Sequence, residues 1–172
     1  MTFLPIVEAC DNFRPTRDAS LVPFYLSIPP SKGQLIGLLK PIVLAAIEAD
    51  TTHQCGALVI HSPPGSSSKI VAFSDSCTTA QARSAALREI VLRWREAGTF
   101  AGVIGGRLWR NELYGVYANP FVRTPEPALV LERSACALFG IVTYGVHMTV
   151  FTHDFKVWVP RRSKTKQTFV SP

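Results

Sequence analysis

Short apolar runs recur along the first 140 residues, separated by proline, glycine and polar clusters. They predict β-type segments at residues 24–28, 34–39, 57–60, 69–73, 112–117 and 129–133, and short helices at 3–10, 41–49 and 134–139. Pro41 suits the first turn of a helix, because the N–H that it lacks would have no partner there. Since strands and helices are interspersed, the pattern predicts an α+β fold with a small mixed sheet and flanking helices.

The strongest periodic signal predicts a helix over residues 79–97. Its apolar side chains recur at i, i+3, i+4 and i+7, which are Leu87, Ile90, Val91 and Trp94. The segment TTAQ at 78–81 is typical of a capping box, in which Thr78 and Gln81 satisfy each other's backbone N–H groups. Gly98 is placed to end the helix in a left-handed conformation.

A β-hairpin is predicted near the end of the chain. Its two strands are expected at residues 146–152 and 155–159, with a turn at His153 and Asp154. A basic segment, PRRSKTKQ, follows directly at 160–167. This segment is either a solvated tail, a phosphate-binding loop after a strand, or a nucleic-acid contact.

The positive charge is concentrated at this end of the 172 residues. The chain holds 18 Lys and Arg against 12 Asp and Glu, a net charge of +6, and 5 of those basic residues lie in 156–172, which hold no acid. Nucleic-acid binding normally spreads charge over a face with stacking aromatics, so a nucleic-acid partner is not expected. The longest apolar stretch, 35–49, is shorter than the about 20 residues of a membrane span, so no membrane partner is expected either.

Candidate chemistry elsewhere is sparse. The 4 cysteines and 4 histidines show no metal-binding spacing, so no metal site is predicted. We expect the thiols to be free and the compartment to be a reducing one, the cytoplasm. The glycine-rich GVIGG at 102–106 lacks the residues of a phosphate-binding loop and is predicted to be a turn. The WRNE segment at 109–112 has two interpretations: a buried pair of Arg110 and Glu112 that fixes a turn, or a ligand contact.

Part of the predicted long helix superficially matches the magnesium-binding Nudix box, with REI at 88–90 and EAG at 96–98. The box needs an acidic pair on one helix face, but those positions are Leu92 and Arg93. Neither an apolar side chain nor a cation ligates Mg²⁺. The helix is therefore predicted to be structural.

Four longer strings resemble the thiamine pyrophosphokinase-related Nudix hydrolases: VEACDNF at 7–13, WRNELYGVY at 109–117, LFGIVTYGVHMT at 138–149 and KVWVPRRSKTKQT at 156–168. The resemblance implies an N-terminal accessory domain at 1–140 and, at 141–172, the first β-hairpin of a Nudix domain. Members of that family cleave diphosphates, such as thiamine diphosphate-like or nucleoside diphosphate-like substrates, to monophosphates with Mg²⁺. The matching basic residues are expected from their charge to bind the substrate's phosphates: Arg161, Arg162, Lys164 and Lys166.

The chain also departs from that family. Relatives continue into a Pro-Gly turn, a glycine-rich strand and the Nudix box, whereas these residues finish FVSP at 169–172. We therefore expect a truncated and inactive chain, with no catalytic residue and no bound Mg²⁺. The alternative is a non-catalytic dimerisation or interaction module, in which the exposed hairpin edge pairs with a second copy.

Overall fold

The computed structural model describes residues 4–10, 20–28, 34–51, 56–62, 65, 68–119, 126–145 and 148–161. The helices are α1 (Leu4–Cys10), α2 (Pro41–Thr51), α3 (Ala80–Glu96) and α4 (Ala101–Ile104), with 3-10 turns at Gly106–Leu108 and Ala135–Ala137. The strands are β1 (Val22–Tyr25), β2 (Leu35–Leu39), β3 (Leu58–His61), β4 (Ile70–Phe73), β5 (Leu113–Val116) and β6 (Leu129–Glu132).

Two sheets confirm the predicted α+β class. The larger sheet has the order β2-β1-β4-β3, and it is mixed because β1 runs parallel to β4 while its other pairings are antiparallel. The smaller sheet is the antiparallel pair β5–β6, which packs beside α3. No helix among the described residues combines the length and apolar character needed to cross a membrane.

The predicted apolar stripe of α3 is buried in full, which confirms that helix. Trp94 stacks on Phe139 with ring centroids 5.7 Å apart, and it meets Phe100 edge-on at 5.1 Å. Phe24 of the large sheet lies between Phe73 and Phe139, at 5.3 and 5.8 Å. One aromatic cluster therefore joins the sheet, α3 and the turn after β6 into a single core.

The ends of α3 are partly as predicted. Gly98 has φ +70°, so the left-handed ending is confirmed. The capping box is wrong by one residue, because the N-cap is Thr79, whose hydroxyl accepts from Ala82 N at 3.1 Å. The residue three positions after this cap is an alanine, so no side chain returns the hydrogen bond.

Three other local predictions need correction. The first strand spans Val22–Tyr25 and ends before the predicted limit of residue 28. The glycine-rich segment at 102–106 is largely helical, since α4 and the Gly106–Leu108 turn occupy it. The predicted helix at 134–139 is a single 3-10 turn at Ala135–Ala137.

Two glycines let the backbone after β6 lie directly on β2. Leu38 N donates to Gly140 O at 3.3 Å across this contact. A Cβ on Gly37 would overlap the carbonyl oxygen of Phe139, and a Cβ on Gly140 would overlap that of Leu38. Gly140 also has φ +59°, which disfavours any side chain there.

We predict that Gly37→Ala lowers the free energy of unfolding by about 2 kcal/mol or more, because the backbones must separate to admit a methyl group. Urea denaturation measures the change. Gly102→Ala is the matched control: its Cβ would meet no atom within 4 Å, and it lies in a helix. Alanine there is expected to leave stability unchanged or raise it by up to about 1 kcal/mol. Equal stability of Gly37→Ala and the wild type would contradict the close approach.

Candidate functional site

The predicted C-terminal hairpin is paired from its turn out to Val150 and Trp158, where Trp158 N donates to Val150 O at 2.9 Å. The turn at His153 and Asp154 is confirmed, with Phe155 N donating to Thr152 O and Thr152 N to Lys156 O, both at 2.9 Å. The predicted strands at 146–152 and 155–159 are not regular, since Phe151 and Val157 form an isolated bridge. Residues 146 and 147 lie outside the described part. Phe155 takes φ +61° in the turn, a conformation that bulky residues rarely adopt.

This hairpin exposes its apolar side chains. Phe155 is 84% and Val159 85% exposed, and the other exposed members are Met148, Val150, Phe151, Val157 and Trp158. The segment leading to it is tied to the small sheet where Tyr144 N donates to the Tyr114 hydroxyl at 2.8 Å. An apolar patch of this kind usually marks a surface that another structure covers.

Of the four predicted phosphate-binding residues, the structure describes one. Arg161 is exposed and lies directly after the hairpin. The other three, Arg162, Lys164 and Lys166, lie outside the described residues. Their convergence on a phosphate stays a prediction.

Lys156, the first basic residue of this segment, is engaged locally. Its amino group forms an ion pair with Asp154 at 2.6 Å. The hydrogen bonds from Lys156 and then from Thr152 hold the pKa of the Asp154 carboxyl below its usual value. The amino group of Lys156 is therefore paired with a carboxylate of its own turn.

A buried carboxylate organises the WRNE loop at 109–112. Glu132 on β6 is 5% exposed. Its Oε1 accepts from Arg110 N at 3.0 Å, from Ser134 N at 3.2 Å and from Ser134 Oγ at 3.0 Å, and its Oε2 accepts from Glu112 N at 3.2 Å. These four hydrogen bonds replace the water that the carboxylate loses, and so offset the free-energy cost of burying its charge.

This arrangement corrects the proposed pair of Arg110 and Glu112, both of which are exposed. Glu112 instead pairs with Arg133 at 2.6 Å, and the Arg133 guanidinium also lies 5.8 Å from the centre of the Tyr114 ring. The turn is fixed by a carboxylate, but that carboxylate comes from residue 132. Sequence reasoning missed Glu132, and an acidic residue within the apolar run at 129–133 was the signal available.

Two arginines of α3 are held by neighbouring residues of the domain. Arg93 forms a fork with Asp50 of α2, with Nε and Nη2 at 3.0 and 2.6 Å from the two carboxylate oxygens. Arg95 lies over the Trp109 ring at 4.4 Å and supports the start of the polar loop. Among the described residues, no group of three His, Cys, Asp or Glu side chains is placed to hold a metal ion.

The buried thiol of Cys136 is not activated as a nucleophile. Cys77 and Cys136 are buried, and Cys10 is exposed. Burial raises the pKa of the Cys136 thiol to about 11, and the nearby Glu132 charge acts in the same direction. The thiol therefore stays protonated at neutral pH, whereas a nucleophilic cysteine needs the thiolate.

We predict that Glu132→Gln lowers the free energy of unfolding by about 1–3 kcal/mol, because an amide NH₂ would face a backbone N–H that now donates to a carboxylate. Thermal and urea denaturation measure the loss. The matched control is Glu112→Gln, which removes an exposed ion pair and is expected to cost less than about 1 kcal/mol. If the two variants lose the same stability, Glu132 is not the anchor of the loop.

Together, the fold and the site define an α+β domain with a polar loop anchored on a buried carboxylate, followed by an exposed apolar hairpin. The chain belongs to the family described as "Domain of unknown function (DUF4743)", whose model matches residues 2–143. It is also similar to an uncharacterized protein of Saccharomyces cerevisiae, YJR142W, with 42% identity over 76 residues. That alignment covers 41% of this chain and 20% of the yeast protein, so the chain spans about a fifth of this relative's length.

Proposed function

We propose that these residues belong to a Nudix-type diphosphate hydrolase, with an accessory domain at 1–140 and the opening hairpin of the catalytic domain from 141 onward. The observation that carries this proposal is the exposed apolar hairpin beside a core that is already closed. Phe139 and Ile141 are buried, whereas Val142 and the apolar side chains of the hairpin are exposed. A lone two-stranded hairpin is marginal in water, so its apolar side chains call for a larger sheet to cover them.

The comparisons support a division of the chain near this point. The family match ends at residue 143, next to the proposed boundary. Most of the yeast relative also lies outside the segment that aligns.

We propose that the protein is cytoplasmic. The buried thiols of Cys77 and Cys136 suit a reducing compartment.

Diphosphate binding is assigned to the basic segment. Arg161 is exposed directly after the hairpin. One guanidinium group can donate hydrogen bonds to two phosphate oxygens at once. The bound diphosphate would be thiamine diphosphate-like or nucleoside diphosphate-like, as the sequence resemblance implies.

The residues present do not fit Mg²⁺. Leu92 and Arg93 stand where a Nudix box carries its acidic pair, and Arg93 is already bound to Asp50. We assign phosphate binding to these 172 residues and no step of the cleavage.

We predict that this chain releases no phosphate from thiamine diphosphate in the presence of Mg²⁺, but that it binds the diphosphate through its basic segment. Phosphate release is measured colorimetrically and binding by calorimetry. The double variant Arg161→Glu/Arg162→Glu is expected to weaken binding about tenfold or more, since both charges are reversed. Arg107→Glu, an exposed site outside the segment, is the control and is expected to bind as the wild type does.

Turnover above a reaction without protein would overturn the assignment of no catalytic step. Equal binding by the wild type and the double variant would overturn the role of the basic segment.

The exposed hairpin also favours a second candidate, a non-catalytic module that forms a homodimer through this surface. In that case the apolar side chains of Phe151 and Val157 would be covered by the same residues of a second copy. Sedimentation at tens of micromolar protein distinguishes the candidates: a dimer that Phe151→Ser converts to a monomer supports the module. A monomer under the same conditions would count against it.

A further inference from the structure

A separate cleft lies between elements of the accessory domain, and Ile141 and Thr143, just past its proposed boundary, also line it. It has a volume of about 440 Å³ and opens between α4, the polar loop at 109–112 and the turn after β6. This volume falls within the range of small-molecule sites. Its lining includes none of the hairpin residues and none of the described basic segment.

Two of the residues that line the cleft are small. Gly102 of α4 and Ala137 of the second 3-10 turn both line it, and open space surrounds the position of a Cβ on Gly102. Val103, Leu108 and Ile141 supply an apolar wall. A compact apolar or aromatic group would lose water on entering this space.

Two arginines, Arg110 and Arg133, line the same cleft. Arg133 is held by its ion pair with Glu112 and by the Tyr114 ring, so its position is set in advance. The backbones of Arg110 and of Ser134, which also lines the cleft, are both fixed by Glu132. A site whose polar groups are already held in place loses less entropy when a ligand binds.

The charge balance at this rim favours an anion. Two arginines line the cleft and no acidic residue does, and the nearby carboxylate of Glu112 is paired with Arg133. The other nearby carboxylate, Glu132, does not line the cleft, and its oxygens are occupied by four hydrogen bonds. Thr143 also lines the cleft and carries a hydroxyl of the kind that donates to oxyanions, whereas the Ser134 hydroxyl already donates to Glu132.

We propose that this cleft binds a small organic oxyanion, a phosphate or carboxylate carried on a compact apolar or aromatic body. The guanidinium groups of Arg110 and Arg133 take the oxygens, and the wall of Val103, Leu108 and Ile141 takes the body. Binding here is independent of diphosphate binding at the hairpin.

The site also contacts the segment that leaves the domain. Ile141 and Thr143 line the cleft, and the next residue, Tyr144, is hydrogen-bonded to Tyr114. A bound oxyanion therefore touches both the closed core and the start of the hairpin segment.

The test uses the full chain and three probes, phenyl phosphate, benzoate and benzyl alcohol, without Mg²⁺. Titration followed by two-dimensional ¹H–¹⁵N NMR is expected to show saturable shifts at residues 102–110 and 133–143 with at least one oxyanion, at millimolar affinity or tighter. The neutral alcohol is expected to bind about tenfold more weakly or not at all. Saturation by phenyl phosphate alone, by benzoate alone or by both supports the proposal and identifies the preferred oxyanion.

Variants locate the binding. Arg110→Gln and Arg133→Gln are each expected to weaken it about tenfold. Ala137→Leu fills the cleft without changing charge and is expected to abolish binding. Arg107→Gln removes a neighbouring exposed charge outside the cleft and is expected to bind as the wild type does. A thermal melt of each variant confirms that it is folded.

Three outcomes overturn the proposal: no saturation with either oxyanion, equal affinity for benzyl alcohol, or equal weakening by Arg107→Gln and Arg133→Gln. Because the probes carry no diphosphate and the readout is binding, these outcomes are distinct from failure of the phosphate-release or diphosphate-binding tests.

Discussion

The hydrogen bonds to the buried carboxylate of Glu132 hold together the part of the domain that forms the cleft, namely the 109–112 loop and the turn after β6. Burying an ionised carboxylate costs several kcal/mol unless hydrogen bonds replace its water. Here three backbone N–H groups and one hydroxyl do so. Two of the N–H groups belong to the 109–112 loop, earlier in the chain, and the other two donors belong to Ser134, directly after β6. Because one charge binds the 109–112 loop and the turn after β6 together, the rim of the cleft has a defined geometry.

A second constraint closes the domain around this anchor. The pair Gly37 and Gly140 lets the backbone after β6 rest on β2, while Phe139 fills the space between Phe24 and Trp94. Ile141 is the last buried residue among those described, and the apolar side chains of the hairpin lie outside this core.

Local periodicity predicts the fold best where one face of one element meets the core. The stripe of α3 and its glycine ending are of this kind, and both were predictable. The cap was misplaced because Thr78 and Thr79 are equally good caps in isolation. In the structure, the Thr78 carbonyl accepts from Arg83 at 2.9 Å and the Thr79 hydroxyl takes the capping role.

The candidate site was less predictable because its contacts are long-range. In a strand, alternate residues share a face, so buried Leu129 and Leu131 place Glu132 on the opposite face, which a short local pattern assigns to solvent. The loop that covers it lies 20 to 22 residues earlier in the chain. The partners Gly37 and Gly140 are still further apart. Local hydrophobic periodicity contains no information about contacts between residues so far apart in the chain. The hydrogen bonds of Glu132 to the 109–112 loop and the close approach of Gly37 and Gly140 are therefore visible only in the tertiary structure.

Charge along the sequence does not show which cations the fold holds in place. The terminal segment holds most of the excess cations, yet Lys156 is neutralised by Asp154 within its own turn. Arg110 and Arg133 lie in the part of the chain where acids and bases nearly balance. What distinguishes them is position: one guanidinium is braced by Glu112 and Tyr114, and both line a cleft with an apolar wall. A cation that its neighbours already hold in place loses less conformational entropy when it binds an oxyanion than an unrestrained cation does.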